Sequence, residues 1–217
     1  MARPRKPLIS RRGVLEAALR IIDEGGLDSV SIRRLADELG VNGASLYHHF
    51  PGGKDEILIG AAQLALVDVA DDPDPDLPWR EWLKGMANRY RDALAAHPGI
   101  VPIAIRRQEV GMGTQEFEAA ATRLLQGGLP SAAIVPLLDA IENFIVGSAL
   151  HESLSKSLIA RKEVPTGPVM TKVLKDAGLS AEEVFDLVID SIIEGVENAI
   201  AEQVARWTPQ PAGEVAQ

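Results

Sequence analysis

Three observations predict an all-α fold. Aromatic residues are only 4% of the chain, no window sustains an apolar/polar alternation, and apolar residues recur at three- and four-residue intervals almost throughout. With 217 residues, 46% apolar and 24% charged, the chain has ordinary globular composition and room for one large or two small domains around a sizeable core.

The first helix runs from about Ser10, its N-cap, to Asp23; Val14, Ala18, Leu19 and Ile22 share one face, and Gly25-Gly26 ends it. Ser31 caps a second, short helix whose buried side is Leu35, Ala36 and Leu39, closed by Gly40 in the left-handed conformation that glycine takes without strain. Asn42 caps a third short helix containing Leu46, Tyr47 and His48, which stops at Phe50-Pro51-Gly52-Gly53, and a fourth begins near Lys54. Residues 71–76, Asp-Asp-Pro-Asp-Pro-Asp, cannot continue a helix, because two prolines and four like charges oppose it. They do not form a calcium loop, since Leu77 stands where the turn glycine belongs and Leu83 where the closing glutamate belongs. Further helices are expected at about 78–96, 100–110, 114–126, 131–154, 167–177 and 180–206, with Pro136 kinking the fourth of these. The expected organisation is a three-helix N-terminal domain at 1–54, a connecting helix and acidic linker at 55–76, a helical domain at 77–208 and a flexible tail at 209–217.

A formal net charge of −9, taken alone, argues against a nucleic-acid partner. Its distribution does not. Residues 1–54 carry nine Lys/Arg against six Asp/Glu, net +3, whereas residues 55–217 carry thirteen against twenty-five, net −12. The lack of cysteine excludes disulfides, thiolate nucleophiles and Cys-ligated zinc. No apolar stretch is expected to approach the roughly 18–20 residues that span a bilayer. The charged N-terminus leads into an amphipathic helix, not into the apolar region of a signal peptide. A soluble, cytoplasmic protein is expected, with neither cofactor nor metal.

Ser31 to Phe50 carries the chemistry. Ala36 lets two helices cross closely, Gly40 permits a sharp turn, and Val41 and Leu46 face the core, leaving the outer face of the third helix free. This is a helix-turn-helix, whose second helix fits a major groove. The residues expected to meet double-stranded DNA are Arg33, Arg34, Asn42, Gly43, Ala44, Ser45, Tyr47, His48 and Lys54, with Arg3, Arg5, Lys6, Arg11 and Arg12 suited to flanking phosphates. His48 is read as a surface contact and His49 as packed; neither suggests a metal.

The segments Ala17–Gly26, Ser31–Val41 and Ala44–Phe50, followed by Lys54, resemble the TetR family of bacterial one-component transcriptional repressors. The resemblance implies DNA contacts for Arg33, Ser45, Tyr47, His48 and the lysine opening the fourth helix. Pro51-Gly52-Gly53-Lys54 is one residue longer than the family's common Phe-x-x-Lys loop. Asn143 to Leu150 resembles the ligand-binding and dimerisation domain of the tetracycline-repressor subgroup, although His151 stands where that resemblance places an acidic residue.

On the last helix Glu183, Asp186, Asp190, Glu194 and Glu197 form one narrow polar stripe amid apolar residues. A helix exposed on one strip only is covered from two sides, by its own domain and by a partner subunit. The same reading applied to residues 134–150 yields an intersubunit four-helix bundle, as the resemblance also implies, with Leu138, Ile141, Ile145, Val188, Ile192, Gly195 and Ala199 at the dimer interface. Met86, Ile103, Phe117, Asn143, Phe144 and His151 are candidates to line an effector pocket suited to a small hydrophobic or amphipathic molecule.

The expected function is a homodimeric repressor of a palindromic operator, released by that effector. Two rival readings stand beside it: a helical enzyme with a cryptic pocket, and a protein-interaction module without DNA binding. The chain has no Gly-x-x-x-x-Gly-Lys phosphate loop and no His-Glu-x-x-His zinc motif.

Overall fold

Helix α1 (Arg11–Gly25) starts at Ser10, whose hydroxyl accepts a hydrogen bond from the Gly13 amide. Val14, Ala17, Ala18, Ile21 and Ile22 form its buried face. A 3-10 turn (Leu27–Ser29) leads to α2 (Ile32–Leu39), α3 (Gly43–His49) and α4 (Gly53–Ala65). After these come α5 (Trp79–Ala96), a second 3-10 turn (Pro98–Ile100), α6 (Val101–Ile105), α7 (Thr114–Gln126), α8 (Ser131–Ala160) and α9 (Ala181–Trp207). This computed structural model describes residues 10–69, 74, 76–106, 113–160, 167–169, 172 and 178–207. Arg3, Arg5, Lys6, most of the 71–76 linker, most of the helix expected at 167–177 and the tail at 209–217 lie outside them. Among the described residues every regular element is helical.

Two of the expected spans change. The helix expected at 100–110 is α6 only as far as Ile105, and residues 107–112 are outside the described part. The helix expected to end near 154 continues to Ala160, because residues 151–160 contain neither glycine nor proline to stop it. It also runs through Pro136, which lies in its second turn and withholds one amide donor.

Helix α4 packs along α1, burying Ile57, Ala61 and Ala62. In the other half α8 packs on α5, α7 and α9. The stretch Ser131–Ser153 is long and apolar enough by composition to cross a membrane, which corrects the expectation that no stretch approaches that length. Its periodic burial accounts for the composition: Ala133, Ile134, Leu137, Leu138, Ile141, Ile145 and Ala149 face the interior. The two halves share one continuous apolar core from Val14 to Ile193. They join where α1 ends against the Pro98–Ile100 turn, and His97 Nδ1 meets the Asp23 carboxylate at 2.9 Å.

The acidic stripe of α9 is only partly the exposed strip expected: Glu183 and Glu194 are exposed, whereas Asp186, Asp190 and Glu197 are half-buried against α5. Asp186 accepts a hydrogen bond from Asn88 at 2.8 Å, Asp190 pairs with Lys84 at 2.8 Å, and Glu197 pairs with Arg80. These α5 partners stand four residues apart and share one stripe. The Asp190 hydrogen bond, ahead of the opposing effect of burial, raises the Lys84 pKa. Its stabilising contribution is therefore complete below the ordinary lysine range and is lost as pH rises through the raised value. Glu183 closes a reciprocal cap with Ser180 at the start of α9, and these bonds lower its pKa. Deeper in, Arg91 lies 4.4 Å over the Phe185 ring, which stacks on Phe144.

A methyl group at Gly99 would meet Ile22 Cγ2 at 2.5 Å and the Ile22 carbonyl oxygen at 3.0 Å. Gly99→Ala is therefore expected to destabilise the protein by about 1–3 kcal/mol through overpacking. Thermal denaturation should show a drop of roughly 2–12 °C in Tm; an unchanged Tm would show that this junction yields freely.

Candidate nucleic-acid interface and effector cavity

The helix-turn-helix is built from local chemistry. The Ser31 hydroxyl accepts from the Arg34 amide at 3.1 Å, and the Asn42 side-chain oxygen accepts from the Ala44 amide at 3.0 Å, so each short helix has a polar N-cap. Gly40 takes φ +64° and ψ +34°, and the next amide, Val41, returns to the Ala36 carbonyl at 2.9 Å. That closure reverses the chain within three residues. Leu35, Leu46 and Phe50 anchor the pair in the core with no exposed surface.

The outer face left by this packing contains most of the expected contacts. Asn42, Ala44, Tyr47 and His48 are exposed; Gly43, Ser45 and Lys54 are half-buried. Tyr47 is 52% exposed. Arg33 leaves 93% of its side chain in solvent and lies 3.9 Å from Asp37, too far for a strong pair. Arg34 instead pairs with Glu24 at 2.9 Å. His49, expected to be packed, is exposed, because α3 turns its buried side at Leu46 and Phe50 and leaves His49 outside that stripe. The extra loop residue is accommodated by Gly53, which adopts φ +65° beneath the Tyr47 ring and carries Lys54 directly after it.

Arg11 joins the end of α3 to the start of α4. Its guanidinium donates to the His49 carbonyl oxygen at 2.5 Å and to Glu56 Oε1 at 2.7 Å, and lies 4.3 Å over the Phe50 ring. Glu56 Oε2 also accepts from the Gly52 amide at 2.9 Å. The Arg11 hydrogen bond, reinforced by that of Gly52, holds the Glu56 carboxyl below its ordinary range. Charge and position alone assign Arg11 to a phosphate. The fold gives it an internal clamp.

The second candidate site is a cavity of about 320 Å³ between the end of α4, α5, α7 and α8. Gln63 and Leu66 line one end; Trp82, Met86 and Tyr90 form a stripe from α5; Glu116, Phe117 and Ala120 come from α7; Leu138, Ile141, Glu142 and Ile145 come from α8. Of the six candidates, Met86 and Phe117 line it. Ile103 is buried in α6, Asn143 and His151 are exposed, and Phe144 stacks on Phe185, so these four are corrected as lining residues of this cavity. Leu138, Ile141 and Ile145 are also corrected: they are buried inside the chain and line the cavity, so they cannot form the surface of an interface. Val188 and Ile192 are half-buried, and Gly195 and Ala199 are exposed. Trp82 and Tyr90, missed by sequence reading, stand four residues either side of Met86, a spacing that could have nominated them.

A capped helix-turn-helix with an open outer face, joined through α4 to a cavity in a helical body, defines a ligand-responsive, DNA-binding transcriptional repressor. Residues 14–61 match the bacterial regulatory proteins of the tetR family, and residues 72–200 match the tetracyclin repressor-like C-terminal domain; the chain belongs to this family. It is 26% identical to the HTH-type transcriptional repressor DrrR1 of Streptomyces coeruleorubidus, over 94% of this chain and 83% of that one. ActR from Streptomyces coelicolor, solved in complex with actinorhodin, superposes with a TM-score of 0.65 at 28% identity, covering 88% of this chain and 98% of ActR. A single-residue variant of TetR from Acinetobacter baumannii, solved in complex with minocycline, superposes with a TM-score of 0.66 at 26% identity, covering 88% of this chain and 98% of that one.

The lowered Glu56 pKa means its ionised form favours the folded state. That contribution is present above the usual glutamate value of 4.5 and is lost as pH falls through the lower folded value. Thermal denaturation curves of Glu56→Gln and the parent should differ at neutral pH and converge in acid. A constant difference across that range would contradict the clamp.

Proposed function

We propose that α3 is the recognition helix of a homodimeric repressor, with Ser45, Tyr47 and His48 meeting base edges and adjacent sugars. Arg33, Arg34 and Lys54 would meet phosphates, and Asn42, Gly43 and Ala44 would let the helix approach closely. The observation that carries this reading is the exposed, small and hydrogen-bonding face of α3 beside the almost fully exposed Arg33. In this reading residues 1–54 are the DNA-binding head, 55–76 the connection, 77–208 the effector and dimerisation domain, and 209–217 a tail. The protein works in the cytoplasm and has no catalytic role.

The dimer interface is proposed on the outward faces of α8 and α9. Val135 and Leu150 are exposed on α8, and Val184 and Leu187 on α9, with Leu187 at 56% exposure. Val188, Gly195 and Ala199 continue the α9 stripe, and a methyl group added at Gly147 or Gly195 would meet no atom within 4 Å among the described residues. Two such faces pair as a four-helix bundle, which sets two heads about one helical turn apart on a palindromic operator.

The effector, a small hydrophobic or amphipathic molecule, is proposed to occupy the cavity. The complexes of ActR with actinorhodin and of TetR with minocycline support a ligand in this part of the fold. Gln63 and Leu66 place the end of α4 in the cavity wall, while the start of α4 is clamped to α3. An occupant that prefers one α4 position shifts the heads, and a bias of about 1–3 kcal/mol weakens DNA binding roughly 5–150-fold.

Genomic DNA selection with the purified protein supplies the operator for these tests. In gel-shift titrations, Arg33→Ala should weaken operator and random DNA alike, and Tyr47→Ala should cost more on the operator, by about 1–3 kcal/mol. No loss for either variant would overturn the assignment of α3. Gly195→Arg should yield a monomer in sedimentation and lose operator binding; a dimer of parental affinity would place the interface elsewhere.

A further inference from the structure

The turn between α3 and α4 is built more tightly than a connection needs to be. The Phe50 carbonyl oxygen accepts from the Gly53 amide at 2.9 Å, and Gly52 sits at φ −75° and ψ 1°. With Pro51 supplying its fixed φ, this is a type I turn. Glu56, held by Arg11, accepts from the Gly52 amide and pins the turn from α4. The chain then leaves through Gly53, which is buried and left-handed at φ +65°. The two glycines answer to different neighbours. Chain neighbours aside, a Cβ at Gly52 would press on Glu56, at 3.1 Å from its Cβ, whereas one at Gly53 would meet Tyr47 Cε1 at 3.3 Å and no other described atom within 4 Å. The Tyr47 ring therefore rests one edge on Gly53 while about half of its surface stays in solvent. Because that ring is free to swing outward, a side chain at Gly53 would change its aim and leave the core at Leu46 and Phe50 in place.

We propose that Gly53 is a positioning residue for sequence discrimination: it seats the Tyr47 ring in the direction from which that ring reads the operator, without touching DNA itself. This rests on the reading of α3 as the recognition helix and adds the residue that aims it. A side chain fixed before binding spares the cost of ordering it on the target. That gain is realised only where Tyr47 meets its base, whereas binding to random DNA depends on phosphate contacts and is indifferent to the ring.

The test is the ratio of operator to random-duplex affinity, measured by gel shift on the full chain. Gly53→Asn keeps a residue that tolerates the left-handed backbone but adds the Cβ beneath Tyr47. It should lower the ratio about fivefold or more and leave random-duplex affinity near the parent's. Gly52→Ala, which presses on Glu56 in the same turn, should leave the ratio unchanged. Combined with Tyr47→Ala, Gly53→Asn should lower the ratio no further, since the ring it would displace is gone. The contact itself is read on the unmodified protein: with only two tyrosines in the chain, a nuclear Overhauser effect should join the Gly53 α protons to the Tyr47 ring. An unchanged ratio in Gly53→Asn, an equal drop in Gly52→Ala, a drop that persists without Tyr47, or no such Overhauser effect each overturns the inference. A ratio lowered by Tyr47→Ala and not by Gly53→Asn counts against the seat alone. No effect of Tyr47→Ala removes the assignment of α3, and the seat with it.

Discussion

Helix α4 lies against α1 through Ile57, Gly60, Ala61 and Ala62, a row in which small side chains let the two backbones approach. At Gly60 even a methyl group would press on Leu15, at 2.7 Å from its Cδ2. That close crossing is the constraint from which the rest follows. The start of α4 is tied to α3 through Arg11 and Glu56, and its end enters the cavity wall at Gln63. One short helix thus joins the helix-turn-helix to the cavity wall. Because interiors are close-packed, a displacement of α4 is transmitted along its length and not absorbed locally.

The helical body resists that displacement with a different chemistry. Arg80, Lys84 and Asn88 on α5 bind Glu197, Asp190 and Asp186 on α9, a polar ladder along one side of the helix pair. Exposed ion pairs of this kind contribute little individually. Their main effect is to set the rotation of α9, which aims Val184, Leu187 and Val188 outward and Phe185, Ile189 and Ile193 inward. Arg91, 7% exposed, has its charge met by Asp92 and by the Phe185 ring, so that buried cation also orients α9.

Charge is divided in the same way as the work. A head of net +3 beside a remainder of −12 favours one orientation toward phosphates and keeps the acidic part away from them. In the proposed dimer a weakly positive head would bind DNA poorly without correct contacts, and affinity would depend on half-site spacing more than on bulk charge.

The sequence by itself determined much of what near neighbours govern: helical periodicity, the caps at Ser10, Ser31 and Asn42, the left-handed turn at Gly40, and the outer face of α3 apart from His49. Those features depend on residues within four positions of one another, so local spacing encodes them. Tertiary structure alone decided which apolar stripe faced which neighbour. Leu138, Ile141 and Ile145 have the periodicity of an interface and of a cavity wall alike, and only the placement of α5 and α7 against α8 distinguishes the two. Arg11 has the charge of a phosphate contact and finds its partners 38 and 45 residues away. The acidic stripe of α9 has the composition of a solvated face and meets α5 about a hundred residues earlier in the chain. Burial and long-range pairing depend on how whole helices pack, and periodicity reports that a stripe exists without reporting what covers it.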